Sequence, residues 1–526
     1  MSGTRATKID VEKFRLRRLV ERLIELGEVD VRKEPVPLKD VSRLIEATDK
    51  AVLFKQAGPE RHELVANIMG SRRRLATAFG ATEREVVETY LKRRKAPQPA
   101  VEIPSGEAPV HAVVVTGSDI DLTKLPFHLQ HELDGGPYIS AAIDFALDPD
   151  TGRSNVGARR LSLRNRTECG TNLFGPSHLR EIYLRCVQRK QRLPIAFALG
   201  CHPSISMAAE ERLPVDEIEI IGGLRGECLP VVKCISSDIR VPADAEMIIE
   251  GYLDERGYRE PDGPYGEYMG YYGDMHIDPV FHCTAITMRA DALHQTVLHG
   301  STRAFAHSDT FHTSALQTEA VILDFLRVNR IGEPVAVHAV PGSAVSLHIR
   351  IAIRQRRPGD ARAVISAVLG AIWWIKHLWV FDHDVDITDN AHAEWAFATR
   401  FQGDRDLVVL DKAWGLPADP SLDGRLLGTK LGFDCTVAFG RPKRITDLAP
   451  SAPVIEPGEA KFSTVRDALK DGPKYFVDLV RLLGSDDGRE LTLALNALRD
   501  EGLLARNRQG QYLLHPSEQG KTTILD

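Results

Sequence analysis

Two proline-rich stretches divide this chain and limit what each part can fold into. They are APQPAVEIPSGEAP at residues 96–109 and LAPSAPVIEPGEA at residues 448–460. Proline fixes its own φ angle and has no backbone N–H, so neither stretch can continue a helix or a central strand. The stretches predict two linkers, one before a large middle part and one before a small carboxy-terminal part.

The hydrophobic pattern changes between these boundaries. Residues 10–95 alternate helical and strand patterns, with the amphipathic FRLRRLVERLIEL ending at Gly27, which predicts an N-terminal α/β region over 1–109. Over 110–313, apolar runs such as ISAAIDFALD, PIAFALG and FHCTAITM lie between Gly, Pro and Asp, as strands do. One segment, PSHLREIYLRCVQRKQ, has helical spacing behind a Ser177 cap. We expect a β-barrel-like domain that carries one helix.

The two remaining parts have different patterns. Helices and strands alternate again over 314–447, which predicts a second α/β domain. Residues 461–516 show three helices and a short hairpin, the order of a winged-helix module. Such modules often bind DNA, but residues 461–526 contain ten Lys or Arg and ten Asp or Glu, so a basic surface is missing. We expect a packing or oligomerisation role for this module.

Composition excludes several classes of protein. The 526 residues are 43% hydrophobic and 27% charged with a net charge of −6, which is unlike a nucleic-acid-binding or membrane protein. No apolar run approaches the length of a membrane span, and the charged amino terminus does not resemble a signal peptide. Seven cysteines without a CxxC pair argue against a disulfide framework or a zinc ribbon. These features predict a cytoplasmic protein.

The stretch PDGPYGEYMGYYG, residues 261–273, places two carboxylates five residues apart, Asp262 and Glu267. The Gly-Pro pair and the second glycine indicate a turn, so the two carboxylates are expected to lie close together. Neighbouring carboxylates repel, and one of them tends to keep a proton unless a cation intervenes. The stretch fits an acid/base site and also a solvated turn, and by spacing alone the solvated turn is the commoner case.

A cation for such a pair lies earlier in the chain. RSNVGARRLSLR puts Asn155 and Arg160 on one predicted strand, where they face opposite sides unless a bulge at Gly157 redirects them. Arg160 is the kind of cation that could hold both acids ionised or share a proton with them.

Three polar residues form a possible metal-binding set. His178 lies in the first turn of a predicted helix, where the positive end of the helix dipole favours neutral imidazole. Glu217 precedes a glycine pair that is expected to form a turn. Together with Asn155 they offer the mixed oxygen and nitrogen ligands that suit a manganese- or magnesium-like ion bridging to a phosphate. Taken alone, they are scattered polar positions.

Four histidines lie in one region, but their spacing does not predict zinc. They are separated by irregular intervals, and none has i, i+4 spacing ahead of a carboxylate. We expect surface or substrate-pocket histidines here: His294, His299, His307 and His312.

Several blocks, in order along the chain, resemble the UbiD family, whose members use prenylated FMN to remove carbon dioxide from α,β-unsaturated and aromatic acids. The resemblance reaches to about residue 445, and residues 448–526 lie outside it. It implies a split β-barrel of the flavin-binding type at 110–313 and an oligomerisation domain at 314–447. The blocks are LVANIMGSRRRLATAFG, TGSDIDLTKLPFHLQHELDGGPYI, the NxxxxR of 155–160, GGLRGECLPVVKC, VPADAEMIIEGYL, PDGPYGEYMGYY, EWAFATRFQG and KLGFDCT.

The resemblance assigns cofactor-binding roles by position. Asn155, His178 and Glu217 are implied as ligands of a manganese-like ion that anchors the phosphate of prenylated FMN, with a potassium-like ion nearby. Arg160 is implied to orient the edge of the flavin. Lys430 is implied as the lysine at the flavin phosphate.

The resemblance also implies a carboxylate–arginine–carboxylate triad of Asp262, Arg160 and Glu267. Glu267 is then the proton donor. The first acid is more often glutamate in this family, and the shorter Asp262 is expected to loosen its contact with Arg160. The tyrosines expected to pack the base of the loop are Tyr268, Tyr271 and Tyr272.

Substrate and partners are less defined. The segment after the triad offers His299, Arg303 and His307, which suggest a substrate with a second anionic or hydrogen-bonding group, although surface charges explain them equally. The resemblance implies a small aromatic carboxylate as substrate, a flavin prenyltransferase as cofactor supplier, and a dimer or hexamer.

Other classes of function stay open on the sequence. A metal-dependent hydrolase would use Asp262 and Glu267 as ligands and would be colourless. A regulator acting through the carboxy-terminal module would bind DNA in a salt-sensitive manner. A decarboxylase of this kind can also run as a carboxylase when bicarbonate is high.

Overall fold

The computed structural model divides the chain into two units, residues 1–439 and residues 440–526. Within the part of the chain that it describes, no helix is both long and apolar enough to cross a membrane. Some predicted positions lie outside that part: the domain end at 447, residues 448–449 and 456–458 of the linker, and residue 516. The described residues are 9–173, 175–344, 346–440, 450–455 and 459–515, with the backbone of 524–525.

The amino-terminal segment is an α/β layer, but it is not a self-contained domain. Strand β1 pairs in parallel with β2, β2 pairs antiparallel with β3, and β3 pairs with His294–Thr296 from the central segment. The sheet is therefore completed by a strand from well beyond the predicted boundary at 109. The elements are α1 Leu16–Glu25, β1 Val29–Arg32, α2 Val41–Glu46, β2 Ala51–Ala57, β3 His62–Ala66, α3 Arg72–Ala78 and α4 Val86–Arg94.

The central segment forms the predicted barrel. Its strands and helices are β4 Val101–Glu102, β5 Val113–Thr116, β6 Tyr138–Leu147, β7 Ser154–Leu163, β8 Glu168–Thr171, α5 His178–Gln188, β9 Leu193–Leu199, α6 Pro203–Ala208, α7 Glu217–Arg225, β10 Pro230–Lys233, β11 Arg240–Pro242, β12 Met247–Leu253, β13 Glu260–Asp262, β14 Tyr265–Gly266, β15 Tyr272–Gly273, β16 His276–Asp278, β17 Val280–Met288 and β18 His294–Thr296. Strands β12, β9, β6, β7, β8 and β17 pair in that order, and β12 pairs with β17 to close a six-stranded barrel. The prediction of a barrel is confirmed.

Burial on both faces explains why the barrel strands read as continuous apolar runs. In β6, Ala142 and Ala146 pack with Phe197 in one core cluster. Ile143 and Phe145 on the opposite face pack in a second cluster, which includes residues of α1 and α7. A strand covered on both sides loses the polar alternation of a half-exposed strand.

The central segment carries more helix than the sequence predicted. The glycine pair after Glu217 does not form a turn, because α7 continues through it to Arg225. A Cβ on Gly222 would lie 2.7 Å from the carbonyl oxygen of Gln98, so glycine lets the proline-rich stretch cross the helix closely. That stretch also supplies β4, which pairs with β10, so residues 96–109 belong to the fold and do not form a free linker.

The segment after the barrel is the predicted second α/β domain. Its sheet has the order β19-β20-β21-β23-β22, in which β20, β21 and β23 are parallel. The elements are α8 Asp309–Val328, β19 Pro334–Ala339, β20 His348–Ile353, α9 Asp360–Ala371, β21 His377–Asp382, α10 Asn390–Arg400, α11 Gly403–Asp406, β22 Leu407–Trp414 and β23 Leu427–Cys435.

The second unit has the order of elements of a winged helix. Its helices share a small apolar core that includes Leu469, Leu479 and Leu495. Strand β24 pairs antiparallel with β25 as a hairpin, and β26 adds to it in parallel. The elements are α12 Val465–Lys470, α13 Phe476–Leu483, α14 Arg489–Asp500, β24 Leu504–Asn507, β25 Tyr512–Leu514 and β26 Ile524–Leu525.

Candidate active site

The two carboxylates of residues 261–273 lie on a nested hairpin. Strand β13 pairs with β16, and inside them β14 pairs with β15. Asp262 ends β13, and Glu267 follows β14, where its N–H donates to the carbonyl oxygen of Tyr271 at 2.9 Å. The backbone at Gly270 has φ +79°, which glycine adopts without strain. The acids are therefore fixed by strand pairing and not by one short loop.

Arg160 joins the two acids. Its Nη1 donates to Glu267 Oε1 at 2.7 Å, and its Nη2 donates to Asp262 Oδ2 at 3.2 Å. Arg160 and Asp262 are buried, whereas the side chain of Glu267 keeps 30% of its exposure. The third nitrogen of the guanidinium, Nε, is buried and has no hydrogen-bond partner among the described residues. The arginine thus holds both acids and keeps its Nε–H unpaired.

Two buried tyrosines shape this group. The ring centre of Tyr265 lies 4.3 Å from the guanidinium carbon of Arg160, and the hydroxyl of Tyr138 donates to Asp262 Oδ1 at 3.1 Å. Of the three tyrosines expected to pack the loop, Tyr268 is half-buried, whereas Tyr271 is 63% exposed and Tyr272 is 43% exposed. Sequence reasoning missed both buried tyrosines. Tyr138 lies on a strand far from the hairpin in sequence, and Tyr265 directly follows the Gly-Pro pair, so neither has a distinctive spacing.

Strand β7 carries Arg160 near one end and Asn155 near the other. Five residues of strand separate the two Cα atoms by about 16 Å. The bulge at Gly157 that would have redirected one of these side chains is absent, because Gly157 pairs regularly with Asp144. The pairing shifts instead between Ile139 and Ala142 of β6, opposite Arg160. The irregularity that positions the arginine is therefore on the neighbouring strand.

The three predicted metal ligands meet at the start of β7. Asn155 Nδ2 donates to Glu217 Oε2 at 2.9 Å, and the Nδ1 atom of His178 lies 3.3 Å from Glu217 Oε1. Glu217 is the first residue of α7 and His178 is the first of α5, whose Ser177 cap is present as predicted.

This group fits a divalent cation. The Oδ1 atom of Asn155 is buried without a hydrogen-bond partner among the described residues, and it is the amide atom that ligates metals. The side chain of His178 is 57% exposed, so its imidazole is open to an incoming ligand. Carboxylate, amide and imidazole together suit a manganese-like ion.

Lys430 does not join this group. Its ammonium donates to the carbonyl oxygens of Leu369, Ile372 and Trp373 at 3.1, 3.3 and 2.9 Å, and so it caps the carboxy-terminal end of α9. Burial lowers the pKa of Lys430 to about 8. The structure gives this lysine a helix-capping contact where the resemblance implied a phosphate contact, which stays a prediction.

The three predicted substrate residues differ in their relation to the triad. The side chain of Arg303 is 84% exposed, and its guanidinium lies 3.7 Å from the carboxylate of Glu46. His299 contacts the hydroxyl of Thr310 at 2.6 Å, and its ring centre lies 6.3 Å from that of Tyr265. Burial lowers the pKa of His299 to about 4, so it is uncharged at neutral pH. In this arrangement His299 and Arg303 do not form one cationic group, and the substrate role of these residues stays a prediction.

The backbone of His307 lies close to Gly70. It lies in a short turn, Phe305–His307, and its carbonyl oxygen faces Gly70, where a Cβ would lie 1.9 Å away.

Sequence reasoning missed a second acid beside the triad. His276 Nε2 lies 3.0 Å from Asp278 Oδ2 and 4.0 Å from Asp262 Oδ2. These three side chains form the one group of His, Cys, Asp or Glu in the described residues whose arrangement could hold a metal ion. The His-x-Asp spacing on a strand, which puts both side chains on one face, was the available signal.

Burial raises the pKa of two acids at the site. It raises the pKa of Glu267, against the lowering effects of Arg160 and His276. It also raises the pKa of Asp278 to about 6. Two carboxyl groups beside Arg160 and Asp262 therefore keep their protons to a higher pH than exposed acids do.

Comparison with known proteins assigns the chain to a class of decarboxylases. The chain matches the N-terminal, Rift-related and C-terminal domains of 3-octaprenyl-4-hydroxybenzoate carboxy-lyase over residues 21–94, 101–302 and 312–435. The chain belongs to the UbiD family.

Relatives in this family act on different acids. Anhydromevalonate phosphate decarboxylase of Methanosarcina mazei is 30% identical over 80% of this chain and 95% of its own length. The UbiD-class enzyme HmfF of Pelotomaculum thermopropionicum, solved with FMN, has a TM-score of 0.77 and 32% identity over 83% of this chain and 97% of its own. An evolved dimeric form of HmfF was solved with prenylated FMN, with a TM-score of 0.73 and 31% identity over 82% of this chain and 96% of its own. Vanillic acid decarboxylase of Sedimentibacter hydroxybenzoicus has a TM-score of 0.75 and 25% identity over 85% of this chain and 96% of its own.

Proposed function

We propose that this protein is a reversible, non-oxidative decarboxylase of an aromatic, heteroaromatic or other α,β-unsaturated acid, and that it uses prenylated FMN. The observation that carries the proposal is the buried guanidinium of Arg160, which holds Asp262 and Glu267 together and keeps Nε unpaired. The flavin-bound structures of HmfF support the choice of cofactor.

Asn155, His178 and Glu217 would hold the cofactor phosphate through a manganese-like ion. The open imidazole of His178 and the unpaired Oδ1 of Asn155 support this role. A potassium-like ion held by backbone oxygens belongs to the same proposal. The roughly 16 Å of strand between this group and Arg160 lets one extended molecule be anchored at one end and react at the other.

Bound prenylated FMN would supply the electron sink that no side chain can provide when carbon dioxide leaves an sp² carbon. Arg160 orients the reacting edge, because its Nε donor is rigid and unused while its two other nitrogens are held by acids. Asp262 fixes the guanidinium, and Tyr138 fixes Asp262. The aromatic face of Tyr265 keeps water from the other side of the arginine.

Glu267 delivers a proton to the carbon that has lost its carboxyl group. It is the only one of the two acids with an exposed fraction large enough to face a ligand, at 30% against 2% for the side chain of Asp262. Its raised pKa suits a general acid, because a buried carboxylic acid keeps its proton closer to neutral pH.

The alternative function, a hydrolase with Asp262 and Glu267 as metal ligands, has less support. Both carboxylates already accept charge-assisted hydrogen bonds from Arg160, and a metal ion there would face the guanidinium directly.

The substrate class is tested by direct assay. Protein co-expressed with a flavin prenyltransferase is denatured, and the released small molecule is identified by mass spectrometry. Carbon dioxide release is then measured with aromatic acids, heteroaromatic acids and anhydromevalonate phosphate in parallel. We expect release from an aromatic or heteroaromatic acid. Activity in colourless protein without flavin would refute the proposal. If anhydromevalonate phosphate were the only acid turned over, the substrate would be reassigned to that compound.

The assembly is proposed to be a homo-oligomer, a dimer or a hexamer. Light scattering coupled to size-exclusion chromatography measures it directly, and a monomer would contradict the proposal.

A further inference from the structure

His276 is the direct cross-strand partner of Asp262. The register of β13 and β16 pairs these two residues, and Asp278 follows two positions later on the same face as His276. The imidazole therefore lies between two carboxylates, with Nε2 at 3.0 Å from Asp278 Oδ2 and 4.0 Å from Asp262 Oδ2. Strand register produces this arrangement, so it does not depend on a flexible side chain finding a partner.

The hydrogen-bonding groups around His276 require a proton between its Nε2 atom and Asp278. Its Nδ1 lies 2.9 Å from the carbonyl oxygen of Asp274, which can only accept, so Nδ1 carries a hydrogen. Nε2 then faces the Oδ2 atom of Asp278 at 3.0 Å. A bare nitrogen lone pair and an ionised carboxylate would repel at that distance. One proton must lie between them, either on the imidazole or on Asp278.

Asp278 is suited to share that proton. It is fully buried, and its Oδ1 accepts the N–H of Leu173 at 3.1 Å, so Oδ2 is the oxygen left for His276. Burial raises the pKa of Asp278 to about 6. The titratable or charged groups that face this pair are Asp262, Glu267, Arg160, Tyr138 and Tyr258.

We propose that His276, backed by Asp278, is a positioning residue that presents a protonated Nε2 to Asp262 and thereby keeps Asp262 ionised, so that the dissociable proton of the triad is carried by Glu267. The inference deepens the proposed function, and its kinetic consequence rests on it. Asp262 Oδ2 then lies between two positive groups, Arg160 at 3.2 Å and His276 at 4.0 Å. Among the described residues, Glu267 forms its ion pair with Arg160, and the charge of His276 acts on Glu267 only from beyond ion-pair distance.

The kinetic test replaces His276 by glutamine, which keeps a neutral donor and removes the charge. Without that charge the two triad acids compete for one proton and bind it more tightly as a pair. We expect kcat to fall about tenfold with KM within about twofold, and the alkaline limb of the kcat profile to move to higher pH by about half a unit or more. Asp278→Asn should act in the same direction, because the imidazole loses the acid that holds its proton.

His282 offers a matched control on the same barrel. It also lies between two carboxylates, with Nε2 at 2.9 Å from Asp254 Oδ2 and Nδ1 at 3.1 Å from Glu168 Oε1, and no recorded contact joins it to the triad. His282→Gln should leave the pH profile unchanged. An equal shift in His276→Gln and His282→Gln would overturn the proposal, since a general loss of charge or stability would then explain both.

A second measurement needs no cofactor and no turnover. In protein labelled with ¹⁵N at the histidine rings and purified without flavin, the signals absent from His276→Gln identify His276. We expect a protonated Nε2 in wild type at pH 7 and its loss in Asp278→Asn. A bare Nε2 in wild type would overturn the inference, whatever the assay shows. A metal ion lost from Asp278→Asn but kept in Glu217→Gln would overturn it too, because the ion would stand where the proton is assigned.

The two tests separate this inference from the proposed function. If no acid releases carbon dioxide but Nε2 is protonated as expected, the proposed reaction fails and the proton assignment stands. If decarboxylation occurs and the pH profile of His276→Gln equals that of wild type, the proton assignment fails and the proposed reaction stands.

Discussion

Nη1 of Arg160 lies 2.7 Å from Oε1 of Glu267, although the two residues are 107 positions apart in the chain. Strand β7 of the barrel brings one of them and the β14–β15 hairpin brings the other. Because the same guanidinium also holds Asp262, small changes at any of the three side chains alter the protonation of the others.

Replacing Glu267 with glutamine removes the proposed proton donor while preserving shape. We expect turnover to fall by ~10²-fold or more, with flavin and metal content unchanged. Carbon dioxide release and cofactor absorbance are measured on the same sample. Glu260→Gln is the matched control, since Glu260 lies on the same hairpin, has a side chain that is 42% exposed, and forms its ion pair with Arg164 at 3.5 Å, outside the triad. Near-wild-type turnover in Glu267→Gln would assign the proton to another group.

The pH dependence of turnover follows from the raised pKa of Glu267. A general acid must be protonated when it acts, so kcat should be constant at lower pH and fall as pH rises through that pKa. The limb should lie above the pH at which an exposed glutamate titrates. A profile that rises with pH across this range would mean that the ionised form is the active one.

Arg160→Lys tests the two-armed contact. A single ammonium cannot donate in the planar fork that reaches Asp262 and Glu267 together, so we expect kcat to fall about 10- to 100-fold. Arg164→Lys serves as control, because Arg164 donates to the carbonyl oxygen of Pro261 outside the triad. Equal losses in both variants would point to a general effect on the hairpin.

Metal binding should depend on Glu217. Glu217→Gln removes the only carboxylate of the ligand group, and we expect metal affinity to fall by at least about tenfold, with flavin content falling in parallel. Elemental analysis of dialysed protein measures the first and absorbance the second. Glu219→Gln, in the same first turn of α7, should retain both. Full metal content in Glu217→Gln would exclude this group as the site.

Lys430→Met separates helix capping from phosphate binding. Loss of three hydrogen bonds at the end of α9 should lower the free energy of unfolding by about 1–3 kcal/mol, measured by urea titration at pH 7, with flavin content retained. Flavin loss at unchanged stability would instead support the phosphate role that the resemblance implies.

Removal of residues 440–526 should leave the site intact. All triad and metal-group residues lie between 155 and 267, and the second unit has its own apolar core. We expect the shortened chain to keep its metal content and its turnover per site within about twofold. A loss of turnover at full metal and flavin content would give the second unit a functional role.

Local pattern predicted much of this protein. Apolar runs such as ISAAIDFALD became barrel strands, Ser177 capped its helix, and the carboxy-terminal residues formed three helices and a hairpin. These features depend on neighbours in sequence, which is why periodicity and turn residues predict them. The resemblance of several sequence blocks to the UbiD family predicted the family to which the chain belongs.

Position in space was harder to predict. The glycines after Glu217 were expected to form a turn, yet they lie inside α7, because the crossing of residues 96–98 needs their missing side chains. Tyr271 and Tyr272, which were expected to pack the base of the loop, are exposed, and the buried tyrosines beside Arg160 are Tyr138 and Tyr265, since burial depends on the surrounding barrel and not on the hairpin sequence.

The sequence by itself determined which elements form and which residue types could do acid and metal chemistry. Only the tertiary structure decided that the pairing shift opposite Arg160 lies on β6, that Lys430 caps α9, and that His276 and Asp278 stand behind Asp262. The physical reason is strand register: each of these contacts joins distant segments whose alignment is set by the hydrogen bonds and packing of the closed barrel and its sheets.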